Sequence, residues 1–424
     1  MKSFWIRRSR LGASAHYRDL LVLSVVVGVA VGLFSAVFLV AWKTMHHLAW
    51  DHLPHLYDRI WFSALMGLLI GLILHRLFDP GSMAAIVHHY HRKGYLPLKD
   101  NVPILPVSFL GLVGGQSAGP EGALTQAGGS IGSWTARLFY RPRFTRLLTL
   151  AGMGAGFGAF LGAPVGGAVL WLEMLHDRGL EYYEAIVPTL VASATGYLVI
   201  VLLTGHGIVT AWPVSGDVVV GQSDLYLALA VGVVCAAVVA VYAWLFRWTG
   251  RVMKAWAAPI YVRTTAAGLL IGLLGYAFPL SYFYGSGQVA EVFAGSLGVW
   301  MLAGVLLAKM VAASVTIKGH WQGGLIIPHL FMGALVGQIA ARLAPGLHPV
   351  PVTLMAMAAF NAAATQTPLA SALIVLALTG FGHPVPIFLA SLSGFLAGQR
   401  IRLIEHKQPR TRRPNFHLPA PEGR

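Results

Sequence analysis

Charge is scarce in this chain. Asp, Glu, Lys and Arg make up 11% of its 424 residues, where a soluble domain usually carries about 25%. Acids are the scarcer sign, 15 against 30 Lys and Arg. With 56% of residues hydrophobic, this excludes a soluble globular protein and a disordered one, because too much apolar surface would face water. Cys235 is the single cysteine, so an intramolecular disulfide is excluded. What is present in quantity is apolar length and glycine: mean hydropathy is +0.68 and there are 49 glycines. These describe a polytopic membrane protein. In such a protein Lys and Arg set orientation, so the basic excess predicts no nucleic-acid partner.

Apolar stretches long enough to span occur at about 20–42, 59–78, 145–172, 185–203, 223–246, 264–280, 297–316, 352–378 and 383–398. Shorter, Gly-interrupted runs at about 101–116, 122–139 and 324–343 predict broken or re-entrant helices, since a span needs roughly 20 apolar residues. The N-terminus does not read as a cleaved signal peptide, because Lys2, Arg7, Arg8, Arg10 and Arg18 precede a run too long for one. No soluble domain is expected on the chain.

Internal repetition is the most informative pattern. Asp19-Leu20 recurs as Asp224-Leu225, and Gly67–Leu72 recurs as Gly268–Leu273. Gly81-Ser82 recurs as Gly285-Ser286, the GxxxGxxxARL run Gly128–Leu138 at Gly333–Leu343, and Ala163-Pro164 as Thr367-Pro368. The offsets lie between about 201 and 205 residues. Five collinear matches predict two similar halves. The basic start places the entry to the first half in the cytoplasm. No Lys or Arg lies between Arg178 and Arg247, so the second half enters from outside. The basic tail with Lys407, Arg410, Arg412 and Arg413 returns inside. The expected organisation is a cytoplasmic N-terminus over 1–18, a first membrane repeat over 19–203, an external linker over 204–223, a second, inverted repeat over 224–400, and a cytoplasmic tail over 401–424. Inverted repeats are typical of secondary transporters, whose sites lie near the midplane at broken helices. A transporter of an organic or metal substrate and a non-transporting scaffold share this pattern and stay open at this point.

Ionisable residues within apolar segments are functional candidates. Glu121, Glu173 and Lys309 meet that description. Glu121 follows Gly119-Pro120 and precedes Gly122, at the predicted start of a helix over 122–138. Unpaired N–H groups there can hold a carboxylate or a free anion, but not both in one place. A carboxylate competing with an anion is a pH-sensitive gate. The plainer reading is an acid that stabilises its own helix by about 0.3–1 kcal/mol. Gly81-Ser82 and Gly323-Gly324-Leu325-Ile326-Ile327-Pro328 mark two further helix starts, and three such N-termini favour an anion over a cation. Lys309 reads as a group that satisfies carbonyls or snorkels. His46, His47, His52 and His55 with Asp51 are expected in an external loop, and His88, His89 and His91 near a cytoplasmic one. Their irregular spacing predicts no defined metal geometry. No metal, cofactor or enzymatic nucleophile–base pair is expected.

These residues resemble the CLC family of chloride channels and chloride/proton antiporters, over about Asp19 to Gln399. Gly81-Ser82-Met83-Ala84-Ala85 partly matches one family signature, Gly119-Pro120-Glu121-Gly122-Ala123 a second, and Gly324-Leu325-Ile326-Ile327-Pro328 a third. Gly162-Ala163-Pro164 with Glu173 matches a fourth feature. The resemblance implies an all-α, inverted-repeat homodimer in the lipid bilayer of the bacterial inner membrane, carrying chloride or another small anion and, in some members, protons. It implies that Ser82 and Gly122 belong to the anion site, that Leu325 and Ile326 supply N–H groups, and that Glu121 is the external gate. Gly81, Gly119, Gly324, Pro328 and Glu173 are supporting motif positions. The chain departs from the family in three ways. Met174 stands where many proton-coupled members have a second Glu. No tyrosine follows Tyr284, although the family's anion-coordinating Tyr is expected near Ile404–His406. Ala123 and Ile326 replace the usual Pro and Phe. The missing inner acid favours uncoupled or weakly coupled transport, and Ser82 argues against the fluoride-exporting branch.

Overall fold

In a computed structural model the described residues are 2–53, 55–81, 83–177, 183–205, 212, 221–380, 383–401, 403 and 408–409. Among them sixteen α-helices fall into two series of eight in the same order. The first series is α1 Lys2–Trp50, α2 Leu56–Arg76, α3 Met83–Lys93, α4 Asn101–Val113, α5 Glu121–Leu138, α6 Thr145–Leu161, α7 Pro164–Met174 and α8 Ile186–Thr204. The second is α9 Gln222–Ala255, α10 Ile260–Ala277, α11 Val289–Phe293, α12 Val299–Lys318, α13 Ile326–Leu343, α14 Pro349–Thr365, α15 Pro368–Thr379 and α16 Pro384–Ala397. Eight described helices are long and apolar enough to cross a membrane, and α14, α15 and α16 are apolar but shorter. A two-residue strand, His176–Asp177, pairs in parallel with Gln408–Pro409 and ties that segment beyond α16 to the end of α7.

The repeated glycine motifs sit where helices touch. Gly67 and Gly268 face each other's helices across the α2–α10 contact. A methyl on Gly67 would lie 2.4 Å from the Thr264 carbonyl oxygen, and one on Gly268 would lie 2.2 Å from that of Ser63. Each copy of the repeated sequence thus packs against its twin. The GxxxG runs do the same job within each half: Gly128 lies against the Gly152 carbonyl of α6, and Gly333 against the Ala356 carbonyl of α14. Small residues let backbones approach where lipid supplies no hydrophobic drive between helices.

Two apolar runs that read as single spans are each broken. The run at 145–172 divides into α6 and α7, because Gly162 ends α6 at φ +70° and Pro164 starts the next helix. The run at 352–378 divides into α14 and α15 at the equivalent place, with Gln366 at φ 58° followed by Pro368. A left-handed residue satisfies the helix end, and proline suits the first turn of the next helix. The recurrence of Ala163-Pro164 as Thr367-Pro368 is therefore a repeated helix break.

Candidate functional site

The two halves meet backbone to backbone at their helix-starting loops. Gly119 N donates to Gly324 O at 2.9 Å and Gly324 N donates to Gly119 O at 2.8 Å, an isolated antiparallel bridge. The two glycines are 205 positions apart, the offset that also relates Gly128 to Gly333. A local two-fold axis therefore passes between them, and two chains related by such an axis run antiparallel. Gln116 Nε2 donates to Gln322 O at 3.2 Å and Ser117 N to Thr316 Oγ1 at 3.2 Å on the same seam. From this seam α5 and α13 depart, one in each half.

Glu121 opens α5 and is fully buried. Its Oε1 accepts from the amide of Ile327 at 3.3 Å, in the first turn of α13, and its Oε2 has no hydrogen-bond partner among the described residues. The carboxylate thus lies at the start of the other half's helix, which the reading of a helix-start acid serving its own helix did not foresee. Gly119 and Gly324 make room for it. A methyl on Gly324 would lie 2.6 Å from both the Glu121 Cβ and its Oε2, and one on Gly119 would lie 2.1 Å from Oε2. Gly122 packs against Gly323, 3.4 Å from its carbonyl to a would-be methyl. Pro328 falls within the first turn of α13, where a missing N–H leaves no helical bond unmade.

Beside this junction lies a cavity of about 90 Å³, whose walls include Gly324, Leu325, Ile326, His329, Met83 and Met174. The start of α13 borders it, with only apolar side chains at Leu325 and Ile326. Ser82 lies outside the described residues. Its neighbours Met83 and Ala84 form part of the cavity wall. The preceding turn is fixed: Gly81, at φ +79°, donates its amide to Asp79 Oδ1 at 2.9 Å, and Asp79 Oδ2 is 2.6 Å from His320 Nδ1. Burial pushes the Asp79 carboxyl up, but the His320 and Gly81 hydrogen bonds and the His320 and Arg263 charges outweigh it and hold the group below its ordinary value. One hydrogen-bonded Asp–His pair therefore ties the loop ahead of α3 to the loop ahead of α13. Leu403 also lines the cavity; the Ile404–His406 segment, where the family tyrosine is expected, lies outside the described residues.

Glu173 repeats the crossing geometry of Glu121. At the end of α7, its Oε1 accepts from Leu369 N at 3.1 Å and its Oε2 from Ala370 N at 2.8 Å, capping α15 in the other half. Lys309 is fully buried and its ammonium donates to the carbonyls of Ser281 at 3.2 Å and Tyr282 at 3.3 Å, and to that of Phe283. It also lies 5.2 Å over the Phe331 ring. It satisfies carbonyls, as its sequence position suggested. The histidines are arranged differently from expectation. His46 and His47 fall near the end of α1, with His46 packed on Trp50 and Phe283, because the helix continues through Trp50. His88, His89 and His91 lie along α3, with His89 beside Asp100 at 3.3 Å and His91 on the Leu175 carbonyl. Among the described residues no three His, Cys, Asp or Glu side chains converge as a metal site. The sequence reading passed over His329, which is buried in α13 beside the cavity. Its signal was its place one residue beyond the Gly324–Pro328 motif, as an ionisable group inside an apolar run.

Inverted repeats whose helix N-termini converge on a buried junction define a membrane transport protein. The model of the voltage gated chloride channel family matches residues 80–399, and the chain belongs to that family. The chain is 28% identical over 443 residues to a chloride/fluoride channel protein of Pseudomonas syringae pv. tomato, covering 98% of this chain and 92% of the relative. It is 27% identical over 419 residues to an H(+)/Cl(-) exchange transporter ClcA of Cronobacter sakazakii, covering 90% and 86%. Among solved structures, a CLC-type fluoride/proton antiporter superposes with TM-score 0.82 at 20% identity, over 93% of this chain and 98% of that one. A slow cyanobacterial Cl-/H+ antiporter gives 0.80 at 23%, over 90% and 95%. The fold is the CLC inverted repeat, and the chain is an integral membrane protein of CLC-type anion transport.

Proposed function

We propose that the protein moves chloride or a similar small anion across the bilayer, with the anion held at the start of α13 and Glu121 as its competitor. The observation that carries this is the Glu121 carboxylate on the Ile327 amide, at 3.3 Å, beside a cavity bordered by Leu325 and Ile326. A carboxylate and a halide ask the same thing of a helix N-terminus, and only one can have it. Glu121 closes the path while ionised on those amides and opens it when protonated or swung away. Ser82 and Gly122 complete the site in this reading. The protein is a transporter and not an enzyme. It works as a homodimer in the bacterial inner membrane, with both termini in the cytoplasm and the repeats bounded near 19–203 and 224–400.

Met174 lines the cavity and has no proton to give, which supports uncoupled or weakly coupled transport. The two antiporter structures show a shared fold at 20% and 23% identity, and proton coupling is the second reading. Simultaneous chloride and proton flux in reconstituted liposomes separates the two. Chloride efflux with no uphill proton movement is the expected result. Protons driven against their gradient by chloride would establish the antiporter, and the absence of any chloride flux would refute anion transport.

A further inference from the structure

His329 lies one helical turn along α13 from Ile326, on the same face. Both residues line the cavity. The ring is 1% exposed. Its Nδ1 is 3.3 Å from Asn361 Oδ1. The orientation of Asn361 is set from behind: its Nδ2 donates to Ser371 Oγ at 2.8 Å, and that hydroxyl donates to Thr367 O at 2.6 Å. Asn361 therefore presents its oxygen, an acceptor only, to the imidazole. The proton of a neutral ring must sit on Nδ1, and Nε2 is left as a bare acceptor. Among the described residues Nε2 has no hydrogen-bond partner.

A bare acceptor beside an anion site repels the anion. The same nitrogen carrying a proton is a charged donor to it. We infer that His329 is a ligand of the anion in this cavity, and that Nε2 takes up a proton as the anion arrives. This rests on the anion-transport reading and adds a residue and a proton to it. The Nδ1 bond to Asn361 is a donor bond in both forms of the ring, so protonation breaks nothing behind the imidazole. A buried imidazolium needs a counter-charge, and the anion is that counter-charge. Occupancy and protonation then favour each other by one common factor.

Among the described residues, the groups packed round the imidazole are as follows. From α9, the Tyr242 ring packs edge-on at 5.7 Å. From α12, Lys318 borders the cavity, with its ammonium 4.3 Å over the Phe246 ring. Phe360 of α14 lies against the imidazole, and α15 contributes Ser371 behind Asn361. Of the carboxylates of the neighbouring elements, Glu173 is engaged through both oxygens with the amides of Leu369 and Ala370, and Glu121 through Oε1 with that of Ile327; its Oε2 is removed as a competitor in the test below.

The test uses the full-length protein in detergent carrying Glu121→Gln, which removes the other titrating competitor. Chloride is titrated calorimetrically at several pH values in buffers of different ionisation enthalpy, so that proton uptake is read directly. With His329 intact, uptake should approach one proton per chloride, and Kd should weaken by up to about tenfold per pH unit rise above the histidine's titration. His329→Gln should bind chloride with no uptake and a flat Kd. No uptake with His329 intact overturns the proposal without needing the variant to fold, as does unchanged uptake in His329→Gln. Chloride that binds neither protein overturns the anion-transport reading itself.

Discussion

Glu121 is the residue whose removal says most. In the structure its Oε1 takes the Ile327 amide at 3.3 Å while Oε2 is unpartnered among the described residues. A hydrogen bond to a charged group contributes about 1.5–3 kcal/mol. An anion entering the start of α13 must displace that bond, so its affinity is lowered by the same amount, roughly 10- to 150-fold. Glu121→Ala should therefore tighten chloride binding within that range at neutral pH. Glu121→Gln should approach the same limit, because a neutral amide competes poorly for an N–H at a helix start. At low pH the native acid is protonated and the native protein should converge on both variants. Liposome chloride efflux should then be intact or faster in Glu121→Ala and should lose the part of its pH dependence that Glu121 confers. The assays are calorimetric chloride titration and efflux measured across a pH series. A native-like Kd, or an undiminished pH dependence of efflux in Glu121→Ala, would refute the competition.

Two further outcomes follow from the crossing contacts. Glu173→Ala leaves the Leu369 and Ala370 amides at the start of α15 without their carboxylate, at a cost of about 1–3 kcal/mol for each unsatisfied buried group. Thermal unfolding in detergent should show a clearly lowered midpoint, with Glu173→Gln losing less. At the Asp79–His320 pair the carboxyl is held below its ordinary value. Its contribution is therefore present above the unfolded value of about 3.9 and is lost as pH falls through the lower folded value. Asp79→Asn should flatten the acid limb of the stability profile, measured by unfolding midpoints below about pH 5, and leave that profile's shape unchanged near neutrality.

The halves were legible because membrane packing repeats the same small residues at the same contacts. Gly67–Leu72 and Gly268–Leu273 are alike because they pack against each other, and any outward methyl there would strike backbone. The breaks at Ala163-Pro164 and Thr367-Pro368 were visible as a repeat but not as breaks, since hydropathy averages across turns as short as Gly162-Ala163 and Gln366-Thr367. Glu121 was legible as a helix-start acid from Pro120 and the flanking glycines. That it serves α13 was not, because the contact spans 206 positions and depends on the two-fold seam. His329 was missed for a related reason. A lone histidine in an apolar helix has no pattern, and its role emerges only from Asn361 and Ser371, which hold its ring from another helix and beyond.

The backbone is nearly two-fold, but the acids on it are not. Glu121 and Glu173 both belong to the first half and both reach into the second, and the equivalent positions on the return strokes are Ile326 and Ala377. A molecule with true two-fold chemistry would look the same to an ion arriving from either compartment. Here the two approaches meet different groups. Vesicles with the protein inserted both ways round therefore hold two unlike conductors, and acidifying one compartment should divide them into a responsive and an unresponsive population.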